Sequence, residues 1–204
     1  METRISIFGD SITWGAWDPE NGGWVAQLRR YFETNENYEV DVYNLGVSGD
    51  TTNDLLIRFN TECLARNRHP QTIIFAIGIN DSQYINATDN PRTPIEKFQN
   101  NLVELINQAK NFSSNIIFVG LTKIDETKTM PAPWSPEKFY SNENVAKYNS
   151  VIKKISGEYN LPFIDLLDLL ETNELEDGLH PNSDGHKKMF LKVKEFLLSS
   201  KIVQ

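Results

Sequence analysis

Five short apolar runs, separated by longer segments of helical period, constrain this chain more than any other feature. The runs are Ile5–Phe8, Val40–Asn44, Thr72–Ile77, Ile116–Gly120 and Phe163–Ile164. Most carry Ile, Val and Phe at both odd and even positions, so neither face of the strand is written for water. That is the pattern of strands buried on both sides in a parallel sheet. Between them, Gly23–Phe32, Thr52–Ala65, Ile95–Ala109 and Asn144–Tyr159 repeat apolar residues at helical spacing, and a last such segment starts near Ser183. Pro94 stands where a first helical turn tolerates it. A strand–helix succession of this kind predicts an α/β three-layer sandwich with right-handed crossovers. In such sheets ligands bind beyond the carboxyl ends of the strands, so chemistry belongs there.

With 204 residues and no interdomain linker or repeat, the pattern reads as one domain spanning the chain. One long irregular stretch, Leu121–Ser141, is rich in proline and aromatic residues and reads as a lid or pocket wall. Acidic residues outnumber basic ones by 28 to 20, a formal charge of −8 that disfavours nucleic acid and anionic membrane as partners. A lone cysteine, Cys63, leaves no disulfide framework or multi-cysteine metal site, and reads as a small apolar helix residue. Neither a signal peptide nor a membrane-spanning run is visible, so a cytoplasmic setting is expected.

The chemistry-bearing residues cluster at the predicted strand ends. Gly9-Asp10-Ser11-Ile12-Thr13-Trp14-Gly15 follows the first strand, and Asn44-Leu45-Gly46-Val47-Ser48-Gly49-Asp50-Thr51-Thr52 the second. Gly78-Ile79-Asn80-Asp81 follows the third, and Asp177-Gly178-Leu179-His180-Pro181-Asn182 precedes the last helix. Singly, each has a structural explanation: Asp10 or Ser11 as a helix cap, Gly46 and Gly49 as turn glycines, His180 as a satisfied histidine. Four such clusters at one edge of one sheet are better explained as a site. Common phosphate-loop, dinucleotide and zinc-helix signatures are missing, as is the G-x-S-x-G elbow. Of three histidines, His69 lies ahead of the third strand, away from the cleft, and His186 falls within the last helix as a packing or surface residue.

These four blocks, in this order, resemble those of the SGNH hydrolase superfamily, the GDSL-type lipases and esterases. The first block differs in carrying Ile12 where the family name has leucine. The resemblance implies a flavodoxin-like sandwich around a five-stranded parallel sheet. It also implies hydrolysis of esters or thioesters of small acyl substrates, without metal or organic cofactor. It assigns Ser11 as nucleophile, His180 as base, Asp177 as its orienting acid, and Gly46 and Asn80 as oxyanion-hole members.

Elementary chemistry supports the same assignment. A serine hydroxyl needs a base to take its proton during attack, and a neutral imidazole can do so while a carboxylate holds its other nitrogen. The backbone N–H groups of Ser11 and Gly46 and the amide of Asn80 are donors for the developing oxyanion. Asp10 and Asp50 are read as braces behind this first set. Trp14, Trp134 and Tyr140, with Trp17 and Phe139, are candidates for an apolar pocket wall. Three alternatives remain open: a carbohydrate O-acetylesterase, a silent ligand-binding module on the same fold, and a flavodoxin-like cofactor binder, which Asp10 disfavours.

Overall fold

The computed structural model describes residues 3–35, 39–67, 71–200 and 202. His69 lies outside the described residues. The chain runs β1 (Thr3–Gly9), α1 (Ser11–Trp14), α2 (Gly23–Asn35), β2 (Val40–Gly46), α3 (Thr52–Ala65) and β3 (Gln71–Ala76). It continues through β4 (Tyr84–Ile85), α4 (Ile95–Ala109), β5 (Asn115–Val119), α5 (Glu126–Thr129) and β6 (Lys138–Phe139). It ends with α6 (Asn142–Glu158), β7 (Phe163–Ile164) and α7 (Ser183–Ser199).

The main sheet has the order β2-β1-β3-β5-β7, and every pairing in it is parallel. All five predicted strands are present. The two-sided apolar runs have the predicted cause, since Ile5, Ile7, Phe8, Ile73, Ile74 and Phe75 are all fully buried. Helix α2 packs on α7, and α3, α4 and α6 pack in a row, giving one helical layer on each face of the sheet. An aromatic column runs through the second interface: Phe59 of α3 stacks at 4.8 Å on Phe8 and 5.4 Å on Phe75, which in turn meets Phe118 at 5.3 Å. Cys63 is buried and free, and burial pushes its thiol up to about 12. Among the described residues, no helix is long and apolar enough to cross a membrane.

Strand order fixes where the site must lie. From β1 the chain moves outward to β2, then returns past β1 to β3 and the opposite edge. The reversal leaves a crevice beyond the carboxyl ends of β1 and β3, the usual ligand position in an open α/β sheet. Segment 121–141 is not a free excursion. It contains α5 and β6, and β6 pairs antiparallel with β4 to make a small ribbon beside that crevice. A bond from Asp125 N–H to Gly178 O (2.8 Å) fastens the segment to the His180 turn, and one from Tyr140 N–H to Thr129 O (3.0 Å) closes it on itself.

Candidate active site

Ser11 is the first residue of α1, a single helical turn that begins directly after β1. The Asp10 carboxylate accepts the Ile12 N–H at 3.0 Å, a cap that starts the turn. As the first helical residue, Ser11 has an N–H with no intrahelical acceptor. Asp10 is buried. Loss of water pushes its carboxyl up to about 7, against the Ile12 hydrogen bond and the nearby His180.

The His180 ring is held by a local turn. Asp177 Oδ1 accepts the N–H groups of Leu179 (3.0 Å) and His180 (2.9 Å), which fixes the carboxylate under the imidazole. Its Oδ2 takes the His180 ring Nδ1–H at 2.8 Å and the Trp17 indole N–H at 3.0 Å. Burial opposes ionisation of Asp177, but the hydrogen bonds from His180 and Leu179 outweigh it and hold the carboxyl below its usual range. With Nδ1 protonated toward Asp177, Nε2 is left to accept, and it lies 2.9 Å from Ser11 Oγ. Residues 169 positions apart thus meet in one hydrogen bond.

Asn80, beyond β3, is held at both ends of its amide. Nδ2 donates to Asp50 O at 3.0 Å, and Oδ1 accepts the Tyr140 hydroxyl at 3.1 Å. Gln83 Nε2 in turn donates to the Tyr140 oxygen. An amide has two N–H donors, so one on Asn80 stays available. Asp81, fully buried beside it, accepts the Thr52 N–H at 3.0 Å and the Thr52 hydroxyl at 2.6 Å.

Ser11, Asn80 and His180 line one open cleft of about 370 Å³, together with Tyr140 and Trp134. The Trp134 ring centre lies 5.6 Å from that of His180. Two expected members are placed elsewhere. Gly46 does not line the cleft, and its N–H is already taken by Asn44 Oδ1 at 3.0 Å. The position must be glycine for another reason, since a Cβ there would lie 2.3 Å from Trp14 N and 2.8 Å from Asp10 O. Gly49 is the glycine of this block that lines the cleft. It sits at φ 85°, and among the described residues nothing accepts its N–H.

Trp14 is the other residue outside that lining. Its side chain is 59% exposed and outside the cleft, because the single turn of α1 carries it over the β2 end. Trp17, three residues on, turns back through a left-handed φ of 66° to reach Asp177. Asp50 closes the loop after Gly46 through its backbone, with its N–H bonded to Val47 O at 3.1 Å and its carbonyl to Asn80. It pairs with Arg58 at 2.7 Å, and Arg58 also donates to Gly9 O at 3.1 Å, tying α3 to the end of β1. His186 is a core residue, as a packing role requires. Its Nε2–H donates to Ala16 O at 2.8 Å, and burial holds its pKa below the usual value.

The sequence profile of the GDSL-like lipase/acylhydrolase family matches residues 7–188. The chain belongs to that family. Among curated proteins, this GDSL hydrolase is 26% identical over 206 residues to the isoamyl acetate-hydrolyzing esterase of Saccharomyces cerevisiae, covering 90% of this chain and 81% of the yeast protein. Among solved structures it superposes on the lipase/acylhydrolase from Enterococcus faecalis with a TM-score of 0.76 and 27% identity, over 95% and 94% of the two chains. The acetylxylan esterase Axe2 from Geobacillus stearothermophilus shares the fold, with a TM-score of 0.72 at 23% identity over 96% and 92% of the chains. The GDSL hydrolase is accordingly an enzyme of the ester-hydrolysing class.

Proposed function

We propose that this GDSL hydrolase cleaves small acyl esters or thioesters through an acyl-enzyme on Ser11. The observation that carries the reading is the 2.9 Å contact between Ser11 Oγ and His180 Nε2, with Asp177 behind the ring and the cleft in front. Ser11 Oγ attacks the substrate carbonyl carbon while its proton passes to Nε2, and Asp177 stabilises the imidazolium so formed. The tetrahedral oxyanion receives hydrogen bonds from the N–H groups of Ser11 and Gly49 and from the free amide hydrogen of Asn80. Collapse breaks the bond to the alcohol or thiol, which leaves with the proton from Nε2. Water then attacks the acyl-Ser11 carbonyl and gives a proton to His180. The second collapse releases the acid and returns the proton to Ser11.

A cleft of about 370 Å³ stands at the small end for ligand pockets, which favours a short acyl group. The names of two similar proteins, an isoamyl acetate-hydrolyzing esterase and an acetylxylan esterase, point to acetyl esters as the first to try. The test is a panel of phenyl esters of graded acyl length, their thioester counterparts and an acetylated xylo-oligosaccharide. Ser11→Ala should lower kcat/KM by ~10⁴-fold or more while leaving the thermal transition in place. An organophosphonate should label Ser11 in the wild type. Label on another residue, or hydrolysis that survives Ser11→Ala, overturns the mechanism.

A further inference from the structure

The catalytic cleft carries a charge opposite to that of the protein around it. Acidic residues exceed basic ones by eight across the chain, yet the residues lining the cleft include two cations, Arg92 and Lys138, and no Asp or Glu. The carboxylates that serve the site lie behind it. Asp10 sits buried under α1, and Asp177 is bonded into the turn that carries His180.

Both cations come from the small ribbon and its flank, and the backbone there is tightly held. Lys138 lies in β6, paired with Ile85 of β4. Arg92 follows Pro91, which bridges back to Tyr84 of β4, and its N–H is bonded to Gln83 O at 2.6 Å, while Asn86 N–H reaches across to Glu137 O at 2.7 Å. The carboxylate nearest Arg92 belongs to Asp54, at 3.9 Å, too long for a hydrogen bond. Lys138 forms no ion pair among the described residues, and its sequence neighbour Glu137 is exposed and bonded to the Ser135 hydroxyl. A rigid wall with one unpaired and one loosely paired cation, facing a nucleophile, is an arrangement for meeting an anion.

We propose that this ribbon wall is an anion subsite, so that the enzyme selects acyl esters or thioesters bearing a carboxylate or phosphate group. The inference rests on the ester-hydrolase reading and names the substrate class for that site. Lys138 is the main specificity-determining residue, and Arg92 supports it.

The test compares matched pairs of substrates that differ in charge. On the acyl side the pair is phenyl hydrogen glutarate and phenyl pentanoate; on the alcohol side it is acetoxyacetate and ethyl acetate. The wild type should favour the anionic member of at least one pair. Lys138→Gln should lower that anionic-to-neutral ratio of kcat/KM about 5–10-fold, the size of one half-shielded ion pair, and Lys138→Glu should lower it further. Raising the ionic strength from about 0.05 to about 0.5 M should shrink the wild-type ratio. Ser11-dependent hydrolysis with no charge preference overturns the subsite and leaves the esterase reading standing. So does a ratio that Lys138→Glu and Arg92→Gln both leave unchanged. If no ester is hydrolysed, the esterase reading fails, and titration of glutarate into the Ser11→Ala protein decides the subsite. Binding that Lys138→Gln weakens supports it, and no binding overturns it.

Discussion

Asp10 is the residue whose local physics and catalytic placement conflict most. It caps α1 and so aims Ser11, yet it does this from a position without water, where its carboxyl is pushed up to about 7. In an unfolded chain an Asp titrates near 3.9. Between those values the folded protein holds a proton that the unfolded chain has released, so stability falls as pH rises through about 4 to 7. Asp10→Asn keeps an acceptor for Ile12 N–H and removes the charge. Its melting temperature relative to wild type should therefore climb from near zero difference at acid pH to a few degrees at pH 8. A difference that stays constant with pH would contradict the burial argument.

Tyr140 makes a different residue-scale point. Sequence patterning suggests an aromatic pocket wall, and the ring does line the cleft, but its hydroxyl also orients the Asn80 amide. Asn80→Ala should cost ~10²–10³ in kcat, the usual loss for one oxyanion donor. Tyr140→Phe should cost about 10-fold, mostly in kcat, because the donor survives but is less firmly aimed. Steady-state kinetics with one phenyl ester separate the two. Equal losses would mean that Tyr140 acts by some other route.

At the scale of elements, what could be read from the sequence depended on length. The buried strands and the amphipathic helices carry several turns or pleats of pattern, and each was placed from it. The β4–β6 ribbon was not, because its two-residue strands lie inside irregular polar stretches, whereas the equally short Phe163–Ile164 closes the strand–helix succession after α6. Arg92 and Lys138, which it presents to the cleft, were missed for the same reason. The Ser11, Asn80 and His180 blocks were legible because their side chains carry distinctive chemistry. The choice between Gly46 and Gly49 was not, since both are glycines of one loop and only the path of that loop decides which N–H is free. Likewise the paths of Trp14 and Trp17 are separated by two left-handed residues, Gly15 and Trp17 itself, that no composition reveals.

One junction between elements is directly testable. Asp81 joins the loop after β3 to the first turn of α3 through Thr52, where a carboxylate also meets the positive end of the helix. Asp81→Ala leaves the buried Thr52 N–H without an acceptor and its hydroxyl with only the Asn101 amide as partner. It should lower the unfolding free energy by roughly 2–4 kcal/mol in urea titration. A loss below about 0.5 kcal/mol would show that the junction is dispensable.

At the scale of the whole molecule, the aromatic column from Phe59 through Phe8 and Phe75 to Phe118 joins the α3 layer to three neighbouring strands. Phe59→Ala should cost about 3–5 kcal/mol, which in a chain of this size moves the calorimetric transition down by roughly 6–20 °C. Trp14→Ala, at an exposed ring of similar bulk, should stay within about 0.5 kcal/mol of wild type. Comparable losses from the two would place the core elsewhere. The chain Gln83–Tyr140–Asn80 has a wider consequence, because it runs from the ribbon to the amide that meets developing charge. If the ribbon is the anion wall proposed above and Asn80 an oxyanion donor, taste and speed are geared together in this enzyme. A lineage that reshapes the ribbon for a new leaving group also disturbs the aim of its own catalyst, and should slow down before it specialises.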